Sequence, residues 1–367
     1  MLFYEAVQYV SEVFCEAIAQ RALPVLLYSG ILQKFASQEE MAHARYRLNV
    51  LCAWEYGYFK STLLERVATW LPSVTHLLTS SSAAAIRGSF VSERFYPPEL
   101  LLADVMILPE LTSVLRADDE TIGALLVALE EATVRVALVK GGNLSTEEED
   151  RARRYGARVE EGRLCYRNKA VVWAATHTID NIPEMLRDAF LSRFYVVHLA
   201  ADDLPADIAW RDPARVFDEG VEKKIAAWLE EKWRAARAPD HEFAARVLEV
   251  LRARLKQRLN PREVGDLRRI VLGHHCLCPE ESVDDVALWC AKFVNKYAGL
   301  TTREIIAQYI YQNPKTLQEI VEFTGFKKAN VLGHLKRMGA SRIGYSPIRY
   351  YIDSVKKTDS LEHKEGR

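Results

Sequence analysis

The sequence predicts an α/β protein: a mainly parallel sheet, a helical region after it, and a small basic unit near the C-terminal end. Three observations carry that expectation. Short unbroken apolar runs alternate with longer amphipathic stretches, the pattern of buried parallel strands joined by helices. One run leads into a tight loop and then Lys-Ser-Thr at a helix start. Residues 202–300 hold no convincing strand, and residues 301–353 read as helices followed by an alternating hairpin.

The bulk properties agree. The chain has 367 residues, enough for two or three domains and a sizeable core. Apolar residues make up 49% and charged residues 27%, with a net charge of -1, which is ordinary globular composition. A neutral total leaves room for nucleic acid, because charge can be segregated between domains. No apolar run approaches the length of a membrane span, so no membrane partner is expected. The N-terminus carries Glu5 and lacks a basic leader region, so no signal peptide is expected and the cytoplasm is the expected location. Six scattered cysteines do not make a disulfide framework.

Residues 1–47 read as helices. Val7, Val10, Val13, Phe14 and Ile18 recur at helical spacing, and Ser37-Gln38-Glu39-Glu40 opens a further helix. Their expected role is packing or subunit contact. Leu48–Cys52 reads as a buried strand, and Leu63–Val67 as the start of a helix. Between them, Ala53–Thr62 partly matches the phosphate-binding loop G-x-x-x-x-G-K-[ST]. Gly57, Lys60, Ser61 and Thr62 fit it. Loop and helix N–H groups attract a triphosphate, Lys60 adds a point charge, and the Ser61 hydroxyl can reach magnesium. Trp54 and Phe59 stand at the two glycine positions, and Phe59 is not expected to take a positive φ easily. An ordinary strand–turn–helix with a solvated lysine is the alternative.

Val74–Leu78 reads as a second strand, followed by the small residues Ser80–Ala85. Val105–Leu108 is a third, ending in Pro109-Glu110. P-loop ATPases place an acidic pair here, one acid for magnesium and one to polarise the attacking water. Glu110 fits the second role, while Pro109 replaces the first acid. The alternative is a helix N-terminus, with proline in the first turn and glutamate favoured by the dipole. Asp118–Glu131 is an amphipathic helix, Thr133–Val139 a strand, Gly141–Arg158 a charged loop, and Leu164–Tyr166 the other arm of a hairpin. Ala170–Ala175 is a buried strand leading to His177. A helix ending at Ser192-Arg193-Phe194 precedes the last core strand.

Four helices follow: Val221–Ala235, His241–Leu259, Pro261–Leu272 and Val283–Val294. Asn260 caps the third with Pro261 behind it, and Ser282 caps the fourth with Asp284 and Asp285 in its first turn. They read as a separate helical lid. The run His274-His275-Cys276-Leu277-Cys278 invites a zinc reading, but no second ligand pair is apparent, so a helix end with buried cysteines is expected.

Residues 301–353 read as three helices, Thr302–Tyr311, Thr316–Thr324 and Lys327–Gly339, then a hairpin over Arg342–Ile352, a winged-helix pattern. Arg303, Lys315, Lys327, Lys328, Lys336, Arg337, Arg342 and Arg349 outnumber the acids there, as phosphate binding requires. A protein-binding winged helix is the alternative. Residues 354–367 read as a charged, disordered tail.

The order of these features resembles the AAA+ ATPases, and among them the minichromosome maintenance helicases. The likeness runs from about Leu48 to Lys292, plus the C-terminal winged helix. SSSAAAIRGS, LLLADVMILPEL, ALEEATVRVALVKGG, WAATH and LSRF resemble successive family segments, as does NPREVGDLRRIVLGHHCLCPEESVDDVALW. The resemblance implies a P-loop AAA+ core over 48–201, a helical lid over 202–300 and an oligomer, either a homo-oligomeric ring or a hetero-oligomer. It implies ATP and Mg2+ as cofactors, with Gly57, Lys60, Ser61 and Thr62 at the phosphates and Ser61 at the metal. Glu110 would orient water, His177 would stand at sensor 1 in place of asparagine, Arg193 would be the arginine finger and Arg262 the sensor-2 arginine that closes the lid. Lys140 would lie on a pore hairpin facing DNA, and Lys327, Lys328, Lys336, Arg337, Arg342 and Arg349 would bind DNA from the winged helix. The helicases' amino-terminal OB-fold domain has no counterpart in this reading. The rival expectation is a DNA-binding regulator or scaffold with an inactive nucleotide site.

Overall fold

The structure is a computed structural model that describes residues 2–36, 46–71, 76–78, 86, 88–91, 94–116, 119–137, 146–160, 163–199, 203–205, 217–254, 259–294, 306, 310, 314–324, 328–344 and 348–351. The chain divides into two compact units: Met1–Leu199 with Leu204–Gly299, and Ala200–Asp203 with Leu300–Arg367.

The first unit is α/β. Its central sheet has five strands: β1 (Val50–Ala53), β2 (His76–Leu78), β5 (Val105–Leu108), β9 (Val171–Thr176) and β10 (Tyr195–His198). All neighbours are parallel, in the order β10-β1-β9-β5-β2. Alternate residues serve two cores. Val50, Cys52, Val105, Ile107, Val171, Trp173 and Ala175 enter one; Leu51, Ala53, Met106, Leu108, Val172 and Ala174 enter the other. Coverage on both faces explains why these strands read as unbroken apolar runs.

On the first face lie α1 (Leu2–Val13), α2 (Leu23–Ala36) and α3 (Lys60–Trp70). The later helices α9 (Glu219–Ala235), α10 (His241–Arg254), α11 (Pro261–Leu277) and α12 (Val283–Cys290) join the same core. The helical region is therefore continuous with the N-terminal helices and the sheet, where the sequence implies a separate lid. The α2–α11 contact is close: a Cβ on Gly273 would stand 2.8 Å from the Tyr28 Cα. Continued burial through Gly273, His274 and Leu277 also carries α11 past the expected end at Leu272. Asn260 caps this helix in a capping box with Glu263, and Ser282 caps α12.

The second face carries α5 (Leu111–Val114), α6 (Asp119–Glu130) and α8 (Glu184–Leu191). A three-stranded antiparallel sheet of β6 (Thr133–Ala137), β7 (Ala157–Glu160) and β8 (Arg163–Arg167), in the order β6-β8-β7, adds to it. The charged stretch expected as a loop contains a helix, α7 (Thr146–Arg154), besides β7. Its support is electrostatic: acids fill the first turn, arginines the last, and Glu147–Arg151 and Glu149–Arg153 pair across one turn at 3.7 Å. A short hairpin of β3 (Ser89–Val91) and β4 (Arg94–Tyr96), the one-turn helix α4 (Glu99–Leu102) and a 3-10 turn at Ile179–Asn181 also belong to this region.

In the second unit, β11 (Lys315–Thr316), β12 (Ser341–Ile343) and β13 (Arg349–Tyr351) form an antiparallel sheet ordered β11-β13-β12. Two helices, α13 (Leu317–Thr324) and α14 (Lys328–Arg337), lie between β11 and β12 in the chain. Ile306, Ile310, Ile320, Val331, Leu335 and Tyr350 make its core. The expected helix over Thr302–Tyr311 lies outside the described residues apart from Ile306 and Ile310, as do Ser37–Glu40, Ser80–Ala85 and the tail. No described helix is long and apolar enough to cross a membrane.

Candidate functional site

β1 ends at Ala53 and α3 begins at Lys60, so the loop between them must turn sharply. Gly57 does so at φ 83. Phe59 also adopts the left-handed region, at φ 51 and ψ 30, against the sequence expectation. It is the one non-glycine residue with positive φ among the described residues. That conformation costs an L-residue about 1–2 kcal/mol. Its ring, 6.2 Å from that of Phe14, packs on the core, and its carbonyl accepts from Leu63 N at 2.8 Å. Trp54, at the first glycine position, is buried, and its indole donates to Tyr58 O at 3.1 Å. The loop is thus filled by two aromatic side chains where the motif would leave backbone open.

Lys60 is 7% exposed rather than solvated. Its Nζ donates to Trp54 O and Glu55 O, both at 2.7 Å, and so faces into the loop. Burial lowers its pKa from 10.5 to about 8, a shift that the Glu110 carboxylate opposes. Ser61 Oγ donates to Pro109 O at 3.3 Å, joining the start of α3 to the end of β5. Thr62 is half-buried on the same first turn.

β9 lies between β1 and β5, and the parallel register aligns all three C-terminal ends, pairing Ala53 with Thr176 and Leu108 with Ala174. His177 therefore emerges beside the loop. Its ring stacks on Tyr56 with centroids 4.2 Å apart, and its Nδ1 is buried without a hydrogen-bond partner. Tyr56 is 62% exposed and lies 5.4 Å from Lys60 Nζ. Glu110 is the N-cap of α5: its carboxylate accepts from Thr112 Oγ1 at 2.6 Å and Thr112 N at 3.3 Å. The helix-start alternative is thus modified, because Pro109 stands before the cap and not in the first turn. One sheet edge gathers an ammonium, two hydroxyls, an imidazole, a carboxylate and a helix N-terminus. In an open α/β sheet, ligands bind outside the carboxyl ends of the strands, and this set suits a polyphosphate.

Arg193 is elsewhere. It precedes β10, whose Tyr195 pairs with Val50 at the start of β1, and its carbonyl accepts from Asn49 Nδ2 at 3.2 Å. It therefore stands at the opposite strand ends from Lys60, across a four-residue strand, a rise of about 13 Å. Its guanidinium pairs with Glu130 at 2.6 Å and donates to Ala189 O at 2.7 Å. Arg262 lies on the first turn of α11. Partial burial lowers its pKa; Asp266 opposes this, and Arg193 and Arg269 lower it further. Arg262 thus shares the electrostatic neighbourhood of Arg193.

Lys140 and Lys327 lie outside the described residues. Lys328, Lys336, Arg337, Arg342 and Arg349 are all exposed on the second unit. Arg342 rests over the Tyr350 ring at 5.7 Å, and Arg349 donates to Pro314 O at 3.4 Å.

Three polar groups absent from the sequence reading hold the arginine edge together. Buried Arg47 donates to Ala128 O and Ala170 O, Asn49 bridges Leu129 O and Val172 N, and Asn168 donates to Ala128 O at 2.6 Å. A polar residue just before or after an apolar run was the available signal. A second missed cluster joins Tyr4 and Tyr28 to His274 and Glu281. Neither protein-family models nor curated proteins match this chain.

Proposed function

We propose that this chain is an ATP-binding module of the AAA+ type, with a C-terminal winged helix, that acts on DNA as an oligomer. The observation that carries the reading is the common sheet edge of Lys60, Ser61, His177 and Glu110. The residues fit a triphosphate: the first N–H groups of α3 have no intrahelical acceptors, Lys60 supplies charge, and His177 Nδ1 is a buried polar atom awaiting a partner. Lys60 would leave its two carbonyls to meet the phosphates. Ser61 would hold Mg2+, which when bound neutralises phosphate charge. His177 would contact the terminal phosphate, with Tyr56 fixing the ring plane. Glu110 would have to leave Thr112 to orient water.

Arg193 supports a site shared between subunits, since it stands at the far strand ends from its own Lys60. A neighbour's phosphate loop is the target that remains, and there a guanidinium stabilises charge as the bond to phosphorus breaks. The second unit supports the DNA reading through its helix pair, three-stranded wing and exposed Lys328, Lys336, Arg337, Arg342 and Arg349. One observation favours a second reading, a scaffold that binds nucleotide without turnover: Glu110 already caps its own helix, and Pro109 offers no acid.

Titration with a fluorescent ATP analogue tests the proposal. Wild type should bind and Lys60→Ala should lose binding. Equal affinity in both would remove the loop as the site.

A further inference from the structure

We propose that His274, Cys278 and Glu281 form a binding site for a zinc-like divalent cation at the end of α11, with Tyr4 and Tyr28 of the N-terminal helices as outer partners of its ligands. The site owes nothing to the nucleotide reading. His274 and Cys278 are four apart at the C-terminal end of α11, so both side chains lie on one helix face. The turn after α11 brings Glu281 back, its N–H donating to Cys278 O at 3.3 Å. The ligand atoms of the three residues all lie within 4.8 Å of one another. Tetrahedral zinc, with bonds of about 2.0–2.3 Å, separates its ligands by about 3.3–3.8 Å. A contraction of about an ångström, with slight opening of the 2.9 Å His274–Glu281 contact, meets that geometry.

Charge and outer contacts agree. Thiolate, carboxylate and a divalent cation sum to zero around His274, which is 0% exposed. Tyr28 Oη lies 2.7 Å from His274 Nδ1, the ring atom turned away from Glu281, and Tyr4 Oη donates to the other Glu281 oxygen at 2.9 Å. Metal-binding histidines take such outer partners.

The protons balance. Trp289 Nε1 can only donate, and it donates to Tyr28 Oη at 2.8 Å. The Tyr28 proton then goes to His274 Nδ1, and Nε2–H goes to Glu281. On binding, Cys278 releases its thiol proton to solvent and the ring proton moves from Nε2 to Nδ1, where Tyr28 accepts it. Nε2 and the thiolate each give an electron pair to the cation. The cost is the hydrogen bond that the Tyr28 proton made. The other members of the sequence run face away: His275 stacks on Phe243 at 4.0 Å, and Cys276 feels Lys34.

The test is cobalt titration of the chelator-stripped full chain, followed by zinc displacement. We expect one cobalt per chain, a thiolate-to-cobalt charge-transfer band, and a rise in melting temperature with zinc. Cys278→Ser should abolish band and rise, while Cys276→Ser and His275→Ala should keep both. Tyr28→Phe should weaken affinity about 10–100-fold. Absence of the band in wild type, its survival in Cys278→Ser, or its loss in Cys276→Ser would overturn the assignment. Because serine matches cysteine in size, wild-type circular dichroism for Cys278→Ser shows that loss of the band reports loss of a ligand and not of the fold.

Discussion

Phe59 sets two effects of similar size against each other, and two substitutions separate them. Its left-handed backbone costs about 1–2 kcal/mol that glycine would not incur. Its half-buried ring contributes about half of what full burial of a phenylalanine does, or roughly 1–1.5 kcal/mol. Phe59→Gly relieves the first and loses the second, so stability should change by less than about 1 kcal/mol. Phe59→Ala loses packing and keeps a Cβ at positive φ, so it should be less stable than the glycine variant by about 1–2 kcal/mol. Glycine is also the better N-cap. This reverses the usual helix order, in which alanine is favoured. Urea unfolding monitored by tryptophan fluorescence gives the difference. An alanine variant as stable as the glycine variant would show that residue 59 is not held left-handed. With the ring gone, Phe59→Gly should also bind ATP more tightly than wild type.

Further outcomes concern charge. Because burial lowers the Lys60 pKa to about 8, ATP affinity should fall above that pH, approaching a limit of about tenfold per unit. Between the folded value of about 8 and the ordinary 10.5, the unfolded chain holds more protons at this position. This group's contribution to stability should therefore rise over the same window, opposite in sign to affinity. A pH-independent affinity would exclude a charged Lys60 from phosphate contact. Neutralising Lys328, Lys336, Arg337 and Arg342 should weaken DNA binding and reduce the salt slope by about one unit for each phosphate no longer neutralised. An unchanged slope would favour a protein partner for the second unit.

The parallel strands β1, β5, β9 and β10 are legible in the sequence because residues on both of their faces enter the two cores, so each appears as an apolar run. The caps at Asn260 and Ser282 are legible because capping is local chemistry. What escapes the sequence is non-local or non-apolar. Helix α7 shows no broad apolar stripe, since Glu–Arg pairs support it, so it reads as a loop. Backbone preference alone misjudges Phe59, because packing beside Phe14 anchors its ring. Glu110 is legible as a carboxylate at a strand end, but its capping of Thr112 depends on where α5 begins. The run His274–Cys278 reads as one unit, yet helical rotation sends His274 and Cys278 one way and His275 another. Glu281 becomes their neighbour only through the turn that follows.

The central claim, an ATP site completed across a subunit interface, is tested most directly by mixing two inactive variants. Lys60→Ala removes the phosphate-loop charge and keeps Arg193; Arg193→Ala keeps the loop and removes the guanidinium. After random subunit exchange in a head-to-tail ring, roughly a quarter of interfaces would carry an intact loop opposite an intact arginine. Steady-state phosphate release is the measurement. The account predicts turnover by wild type, little by either variant, and recovery toward a quarter of the wild-type rate in the equimolar mixture. Active wild type with a mixture as inactive as its components, despite demonstrated exchange, would contradict it.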